Sequence, residues 1–312
     1  MPEKRNLRLL WLLLALSGCL VLVLVVSNRQ QVQLPDKNLF QVADLTQINK
    51  VIIQPAAGAA TELRFDGIKW QVNNAFAADG QMIKILFATL MQTEPRREVA
   101  LTMRDSISRQ LTTTGQQVLL YEGDQLVKQF WVGGNTAKTE TYFQTPDGIP
   151  YLVQVPGYRL YIASVFELDA LAWRDKWLFN FNWQNFRTLT TRFPAKPQNN
   201  FTISMQQNYF GIEGLPQADT AKVNSYLDAV SLVQANRFVQ PTEIRYLDSL
   251  LQAGPEEIIT ITDLANRNYS LEIYPVTGGN NTCLARLNGE AILVLTQSNR
   301  DAITRTRSYF GK

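Results

Sequence analysis

Short runs in which hydrophobic and polar residues alternate fill most of this chain. Two pairs of such runs flank the dipeptides Asp147-Gly148 and Asn288-Gly289, which lie 141 residues apart. Alternation with a period of two is typical of half-buried strands. Both dipeptides favour the type I′ turn, in which the two central residues have positive φ. The pattern therefore predicts two β-hairpins.

The same spacing relates other parts of the chain. It separates the strand-like runs at 118–121 and 259–262, and it separates two segments of helical periodicity around Leu86 and Leu227. Recurrence at a fixed offset is the sequence signature of repeated structural units. We therefore expect two tandem copies of one unit.

Each unit contains one long helix with a recognisable start. Asp79 and Asp219 suit the N-cap position. Apolar residues follow at helical spacing: Met82, Ile83, Leu86, Phe87 and Leu90 in the first helix, and Val223, Tyr226, Leu227 and Val230 in the second. Pro95 is expected to end the first helix, and shorter helices are predicted at 160–168 and 300–310. Strands surround the helices, so the predicted fold class is α+β, with two tandem copies of an antiparallel sheet-plus-helix unit.

The N-terminus has a different pattern. Lys4, Arg5 and Arg8 precede an uncharged apolar run at 9–26, which is long enough to cross a bilayer as a helix. Basic residues before the run place the N-terminus in the cytoplasm. The predicted organisation is a cytoplasmic basic segment 1–8, a transmembrane anchor 9–26, a tether 27–39, a first α+β repeat 40–180 and a second 181–312. The expected location is the inner membrane, single-pass, with the folded part in the periplasm.

A second interpretation of this segment stays open. Leu16-Ser17-Gly18-Cys19 resembles a bacterial lipobox, in which the cysteine is lipidated and the preceding residues are removed. The apolar residues that continue after Cys19 favour an uncleaved anchor, because a cleaved lipoprotein usually continues into a polar tether. Both interpretations place the folded part outside the cytoplasm.

Composition narrows the possible chemistry. The 312 residues include no histidine and only two cysteines, Cys19 and Cys283, and the net charge is +3. Without histidine, Ser-His-Asp and Cys-His catalysis are excluded within the chain. The small net charge gives no indication of a nucleic-acid partner. We expect a non-enzymatic protein without catalytic residues, cofactor or metal, in which Cys283 is a small buried hydrophobe.

The junction of the two predicted units carries an unusual run, Trp173-Arg174-Asp175-Lys176-Trp177. The two tryptophans are four residues apart and would share one face of a helix. We consider these five residues, Trp173, Arg174, Asp175, Lys176 and Trp177, the candidate contact surface for a protein partner. The alternative is a wedge between the two units with a local ion pair.

The order of these features resembles a known family. An N-terminal membrane segment is followed by Trp70-Gln71-Val72-Asn73, the Val132-Gly133-Gly134 strand end, Tyr151-Leu152-Val153 and Trp173-Arg174-Asp175-Lys176. In this order the chain resembles the DUF4340 family of bacterial envelope proteins, which has no assigned activity. The resemblance implies a partner role near gliding-motility-type ABC transporter components and supplies no catalytic residues.

Three functional hypotheses follow. The first is a membrane-anchored extracytoplasmic accessory or scaffold protein, with an ABC-type envelope transport complex as the suggested partner. The second is a periplasmic glycan- or lipid-binding module, whose ligand would lie between the copies near Tyr142, Tyr158 or Trp177. The third is a carboxylate-dependent hydrolase that uses Asp169 or Asp175 and requires two carboxylates in one concave site.

Overall fold

The computed structural model describes residues 11, 13–19, 21, 35–42, 44–179, 181–276 and 282–311. The predicted basic segment 1–8 and most of the predicted anchor and tether therefore lie outside the described residues. Residues 13–19 are helical and Cys19 is exposed. Among the residues described, no helix combines the length and the apolar character that a membrane span requires.

Two antiparallel sheets account for the folded part of the chain, so the α+β prediction is confirmed. Within the described residues the strands are β1 (Lys50–Pro55), β2 (Thr61–Phe65), β3 (Trp70–Val72), β4 (Phe76–Ala77), β5 (Glu94–Glu98), β6 (Gln116–Glu122), β7 (Gln125–Gly134), β8 (Thr141–Gln144), β9 (Pro150–Gln154), β10 (Phe186–Arg192), β11 (Phe201–Gln206), β12 (Tyr209–Ile212), β13 (Arg237–Phe238), β14 (Glu257–Asp263), β15 (Asn268–Ile273), β16 (Thr282–Leu287) and β17 (Ala291–Thr296).

Both halves of the chain contain α-helices, most of which connect one strand to the next. In the described part beyond residue 35, the α-helices are α1 (Gly80–Gln92), α2 (Leu101–Thr114), α3 (Thr220–Ser231), α4 (Leu247–Ala253) and α5 (Gln297–Ile303). Short 3-10 helices span Leu45–Gln47, Ile162–Val165, Pro197–Asn199, Pro241–Glu243 and Arg307–Phe310.

The two sheets have matching strand orders except for β4, an additional edge strand of the first sheet. The first runs β4-β3-β2-β1-β6-β7-β8-β9-β5 and the second runs β12-β11-β10-β14-β15-β16-β17-β13. In each sheet the first strand, β1 or β10, pairs with a hairpin on one side and with a meander on the other. In each, a short strand after the long helix, β5 or β13, closes the far edge.

Both predicted N-caps are confirmed. The Asp79 carboxylate accepts hydrogen bonds from the backbone N–H groups of Gln81 and Met82, and Asp219 does the same for Ala221 and Lys222. These bonds satisfy donors that the first turn of a helix otherwise leaves free.

The apolar face of each capped helix packs into the core of its own half. Helix α1 buries Ile83, Leu86 and Leu90 in the first core. Helix α3 buries Val223, Tyr226, Leu227 and Val230 in the second. Each sheet therefore has its own hydrophobic core, covered by its own long helix.

Several local predictions differ from the structure. Helix α1 ends at Gln92, and Pro95 lies in β5, an edge strand where its missing N–H costs no ladder bond. Helix α2 was not predicted, because it buries only Ile107 and Leu111. The 160–168 segment forms a 3-10 turn, and the segment at 300–310 divides into α5 and a 3-10 turn.

The two predicted hairpins use different turns. Asn288 and Gly289 both have positive φ, 53° and 73°, as a type I′ turn requires. At the other hairpin only Gly148 is left-handed, at 87°, so the I′ prediction is wrong there. The Asp147 carboxylate instead accepts hydrogen bonds from the Thr145 hydroxyl and the Ile149 N–H, which stabilises a longer loop.

Candidate functional site

An extended segment, residues 173–178, joins the two halves and is called the linking segment below. On its first side, the Asp79 N–H donates to the Trp173 carbonyl and the Asp175 N–H donates to the Ala77 carbonyl, both at 2.8 Å. On its other side, the Ala235 N–H donates to the Lys176 carbonyl at 2.8 Å. The backbone of the linking segment is therefore hydrogen-bonded to both halves.

The linking segment is not helical, so its tryptophans do not share a face. Trp173 is buried in the first core, whereas Trp177 is 45% exposed and pairs with Gln234 in an isolated antiparallel bridge. The prediction that both tryptophans contribute to one contact surface is therefore wrong for Trp173.

Arg174 lies between aromatic rings from the two halves. Its guanidinium carbon is 4.1 Å from the ring centroid of Phe76 in β4 and 3.8 Å from that of Phe238 in β13. Burial lowers the pKa of Arg174 from its ordinary value. A guanidinium packed against aromatic faces is attracted by their quadrupoles, so this side chain connects edge strands of both sheets.

The side chain of Asp175 forms its hydrogen bond within the linking segment itself. Its carboxylate accepts a hydrogen bond from the Trp177 N–H at 3.2 Å. Burial raises the pKa of Asp175, and the nearby Asp79 charge adds to the increase. This carboxylate orders the turn that presents Trp177 to solvent.

Near the C-terminal end of α3 the structure exposes three large apolar side chains, and one of them, Trp177, pairs with Gln234 just after that helix. Trp183, also 45% exposed, donates its indole N–H to Asp228 of α3 at 3.1 Å. The exposed Leu232 follows one turn later and donates its backbone N–H to the Asp228 carbonyl. We call Trp177, Trp183 and Leu232 the tryptophan patch. The sequence pointed to Trp177 alone, and the fold brings the segments that carry the three residues to the same end of α3.

A cavity of about 460 Å³ lies next to the junction, and Gln240 from the second half contributes to its lining. Phe76 is the aromatic residue that lines it. Tyr142 is buried in the first half, Tyr158 lines a different cavity, and Trp177 is exposed without lining this one. The three aromatic residues predicted for a cleft between the copies are therefore not brought together in it.

The two carboxylates predicted for hydrolysis do not line the same cavity. Asp169 lines the 460 Å³ cavity together with Glu167, but Asp175 does not. The Glu167 carboxylate is already engaged by the Lys138 ammonium at 2.8 Å and by the Tyr161 hydroxyl. Among the described residues, no group of three or more His, Cys, Asp or Glu side chains could hold a metal ion.

Two buried titratable groups lie in the second half. Cys283 is buried, and desolvation raises the pKa of its thiol to about 11, as expected for an unreactive cysteine. Glu257, at the start of β14, is 2% exposed, and burial raises its pKa to about 7. The Thr304 hydroxyl donates to one oxygen of Glu257 at 2.6 Å, and the other oxygen has no hydrogen-bond partner among the described residues.

The two antiparallel sheets joined by this hydrogen-bonded segment place the protein in the α+β class. The family described as a domain of unknown function, DUF4340, matches residues 70–250, which extend from β3 across the linking segment to α4. The chain belongs to the DUF4340 family. No curated protein and no solved structure gives a significant match to this chain.

Proposed function

We propose that this protein is a non-enzymatic, membrane-anchored extracytoplasmic accessory or scaffold protein of an envelope complex, with ABC-type transporter subunits as the partners. The tryptophan patch is the observation that carries the proposal. Tryptophan is enriched at the energetic centres of protein interfaces, because its large ring buries much apolar surface at a small cost in side-chain entropy. Two half-exposed tryptophans and an exposed leucine at one end of α3 would supply such a centre.

The position of the patch supports the same role. Trp177 lies on the linking segment, whose backbone is hydrogen-bonded to both halves, and Trp183 is fixed to α3 through Asp228. A partner bound there would contact a prearranged surface, so little conformational entropy would be lost on binding.

The membrane location is part of the proposal. The basic residues before the apolar run at 9–26 favour an inner-membrane anchor with the folded part in the periplasm, and lipidation of Cys19 is the alternative. Either arrangement would hold the folded part at the membrane that contains the proposed partners.

We also infer that the two halves are tandem copies of one unit. Their strand orders match except for the additional edge strand β4, and both long helices begin at a capping aspartate. In each half the N–H of that aspartate donates to the carbonyl of a fully buried aromatic residue near the end of the half, Trp173 or Phe310. Such agreement in detail supports duplication rather than chance similarity.

Photo-crosslinking in native membranes tests the partner. The full-length protein would carry a photoreactive amino acid at position 177, and a matched control would carry it at the exposed Ile68 in the β2–β3 turn. We expect crosslinks to an ABC transporter permease or auxiliary subunit from position 177 only. Equal crosslinking from both positions, or none from position 177, would contradict the proposal.

A further inference from the structure

A second concave surface, which contains no residue of the linking segment, lies on the first sheet. It has a volume of about 700 Å³. Thr141, Leu152 and Val153 of β8 and β9 line it, together with the turn at 138–140, Arg96 of β5 and the loop at 158–161. We call this surface the basic groove.

The groove carries uncompensated positive charge. Its lining contains three cationic residues, Arg96, Lys138 and Arg159, against one carboxylate, Glu140. Lys138 forms an ion pair with Glu167 at 2.8 Å, and Glu140 accepts a hydrogen bond from the Tyr142 hydroxyl at 2.7 Å. Across the part of the chain that the structure describes, Arg96 and Arg159 form no ion pair. Their guanidinium groups are available to an anionic ligand.

The groove also offers an aromatic surface. Tyr158 is 65% exposed, and Leu160 is exposed beside it in the loop. Tyr161, in contrast, is held by a hydrogen bond from its hydroxyl to Glu167. An exposed ring inside a concave surface provides a flat apolar face for a ligand that also has a flat or ring-shaped apolar face.

We propose that the basic groove binds an acidic glycan. The planar fork of an arginine matches the two oxygens of a carboxylate, so Arg96 and Arg159 would bind the acid groups of successive sugar residues. The C–H face of a sugar ring would pack on Tyr158, and Gln154 and Thr139 would hydrogen-bond to its hydroxyl groups. This ligand site goes beyond the scaffold role and does not depend on it.

The shape of the groove favours a glycan over a lipid bilayer. A bilayer surface is broad and would contact residues that protrude, whereas Tyr158 and Arg159 line a concavity together with Arg96 on a neighbouring strand. A narrow sugar chain that carries one acid group per ring would match both the positive charge and the concave shape of the groove.

Calorimetric titration of the full-length protein in mild detergent tests this inference. The probe is a short oligogalacturonate, and neutral maltotriose is the comparison. We expect the acidic oligomer alone to bind, with affinity that falls as salt rises. Arg96→Ala with Arg159→Ala should weaken binding about tenfold or more. Tyr158→Ala should also weaken it without reducing the salt dependence, and Tyr158→Phe should restore it.

The control variant removes two positive charges that lie outside the groove. Arg192→Ala with Lys196→Ala takes two exposed cations from the second half, and this variant should bind like the original protein. The inference is wrong if neither sugar binds, if maltotriose binds equally well, or if the groove variants leave the affinity unchanged. Binding to phosphatidylglycerol vesicles that is lost in the groove variants, without oligogalacturonate binding, would also overturn it in favour of a lipid surface. Each of these binding measurements can succeed or fail independently of crosslinking at position 177, so the two proposals are tested separately.

Discussion

The guanidinium of Arg174 lies 3.8 Å from the centroid of the Phe238 ring, although the two residues belong to different halves of the chain. On its other side the same group faces Phe76 at 4.1 Å. Both rings lie in edge strands, β4 and β13, which have few other neighbours in their sheets. The contact therefore covers the edges of the two sheets and couples them.

A double-mutant cycle measures this coupling. Arg174→Ala and Phe238→Leu should each destabilise the protein. Their combination should cost less than the sum by about 0.5–2 kcal/mol, the range for a partly desolvated cation–π pair. Urea unfolding of the full-length protein in mild detergent gives the four free energies. Strictly additive effects would mean that the two side chains do not interact.

The buried Glu257 should make stability depend on pH. Its pKa is raised in the folded state from an ordinary value of 4.5 to about 7. Between these values the unfolded state has released the proton while the folded state keeps it. The contribution of Glu257 is thus fully present below pH 4.5 and is lost as pH rises through 7. The expected loss is roughly 3 kcal/mol.

Comparison of two neighbouring glutamates isolates this effect. Glu257→Gln should flatten the fall in unfolding free energy across this pH range. Glu256→Gln should keep it, since Glu256 is largely exposed and forms an ion pair with Arg300 at 2.7 Å. Urea titrations at several pH values provide the slopes. A slope that persists in Glu257→Gln would assign the effect to other groups.

The two capping aspartates should have similar effects when removed. Asp79→Ala and Asp219→Ala each leave two N–H groups of a first helical turn without an acceptor, so each should cost about 1 kcal/mol. Asp79→Asn and Asp219→Asn retain a side-chain acceptor and should lose much less. Thermal unfolding followed by circular dichroism compares the four variants. An alanine variant that is as stable as the original protein, at either site, would contradict the cap assignment.

Gly134 at the end of β7 should not tolerate a side chain. A Cβ atom there would lie 2.7 Å from the Glu140 carbonyl oxygen and would also clash with the Tyr161 ring. Gly134→Ala should destabilise the protein by about 1–3 kcal/mol, as overpacking does, and should weaken oligogalacturonate binding because it displaces Tyr161. Gly80→Ala, where nothing lies within 4 Å, is the matched control and should be close to neutral.

Local sequence patterns predicted much of the fold, because the interactions behind them act between residues that are close in the chain. An aspartate that caps a helix acts on N–H groups two and three residues away, so Asp79 and Asp219 were recognisable from the chain alone. Helix α2 was not, because its sequence is mostly polar and its two buried residues, Ile107 and Leu111, contact a sheet that forms elsewhere.

The candidate site was only partly predictable. The sequence drew attention to residues 173–177, yet it could not separate the buried Trp173 from the exposed Trp177. It also gave no sign that Trp183 and Leu232 lie at the same end of α3. The basic groove joins Arg96 to Arg159 across more than sixty residues of chain, through the pairing of β5 with β9. Pairing between strands that are far apart in the chain produces no recognisable pattern in the local spacing of residues.

By itself the sequence determined the α+β class, both helix caps, most strands and the family resemblance, because periodicity and capping act within a few residues. Only the tertiary structure decided the strand order, the position of Arg174 between Phe76 and Phe238, and the grouping of charged and aromatic side chains on the surface. These depend on which distant segments share a sheet, and that choice is made by burial of the whole core rather than by any single stretch of chain.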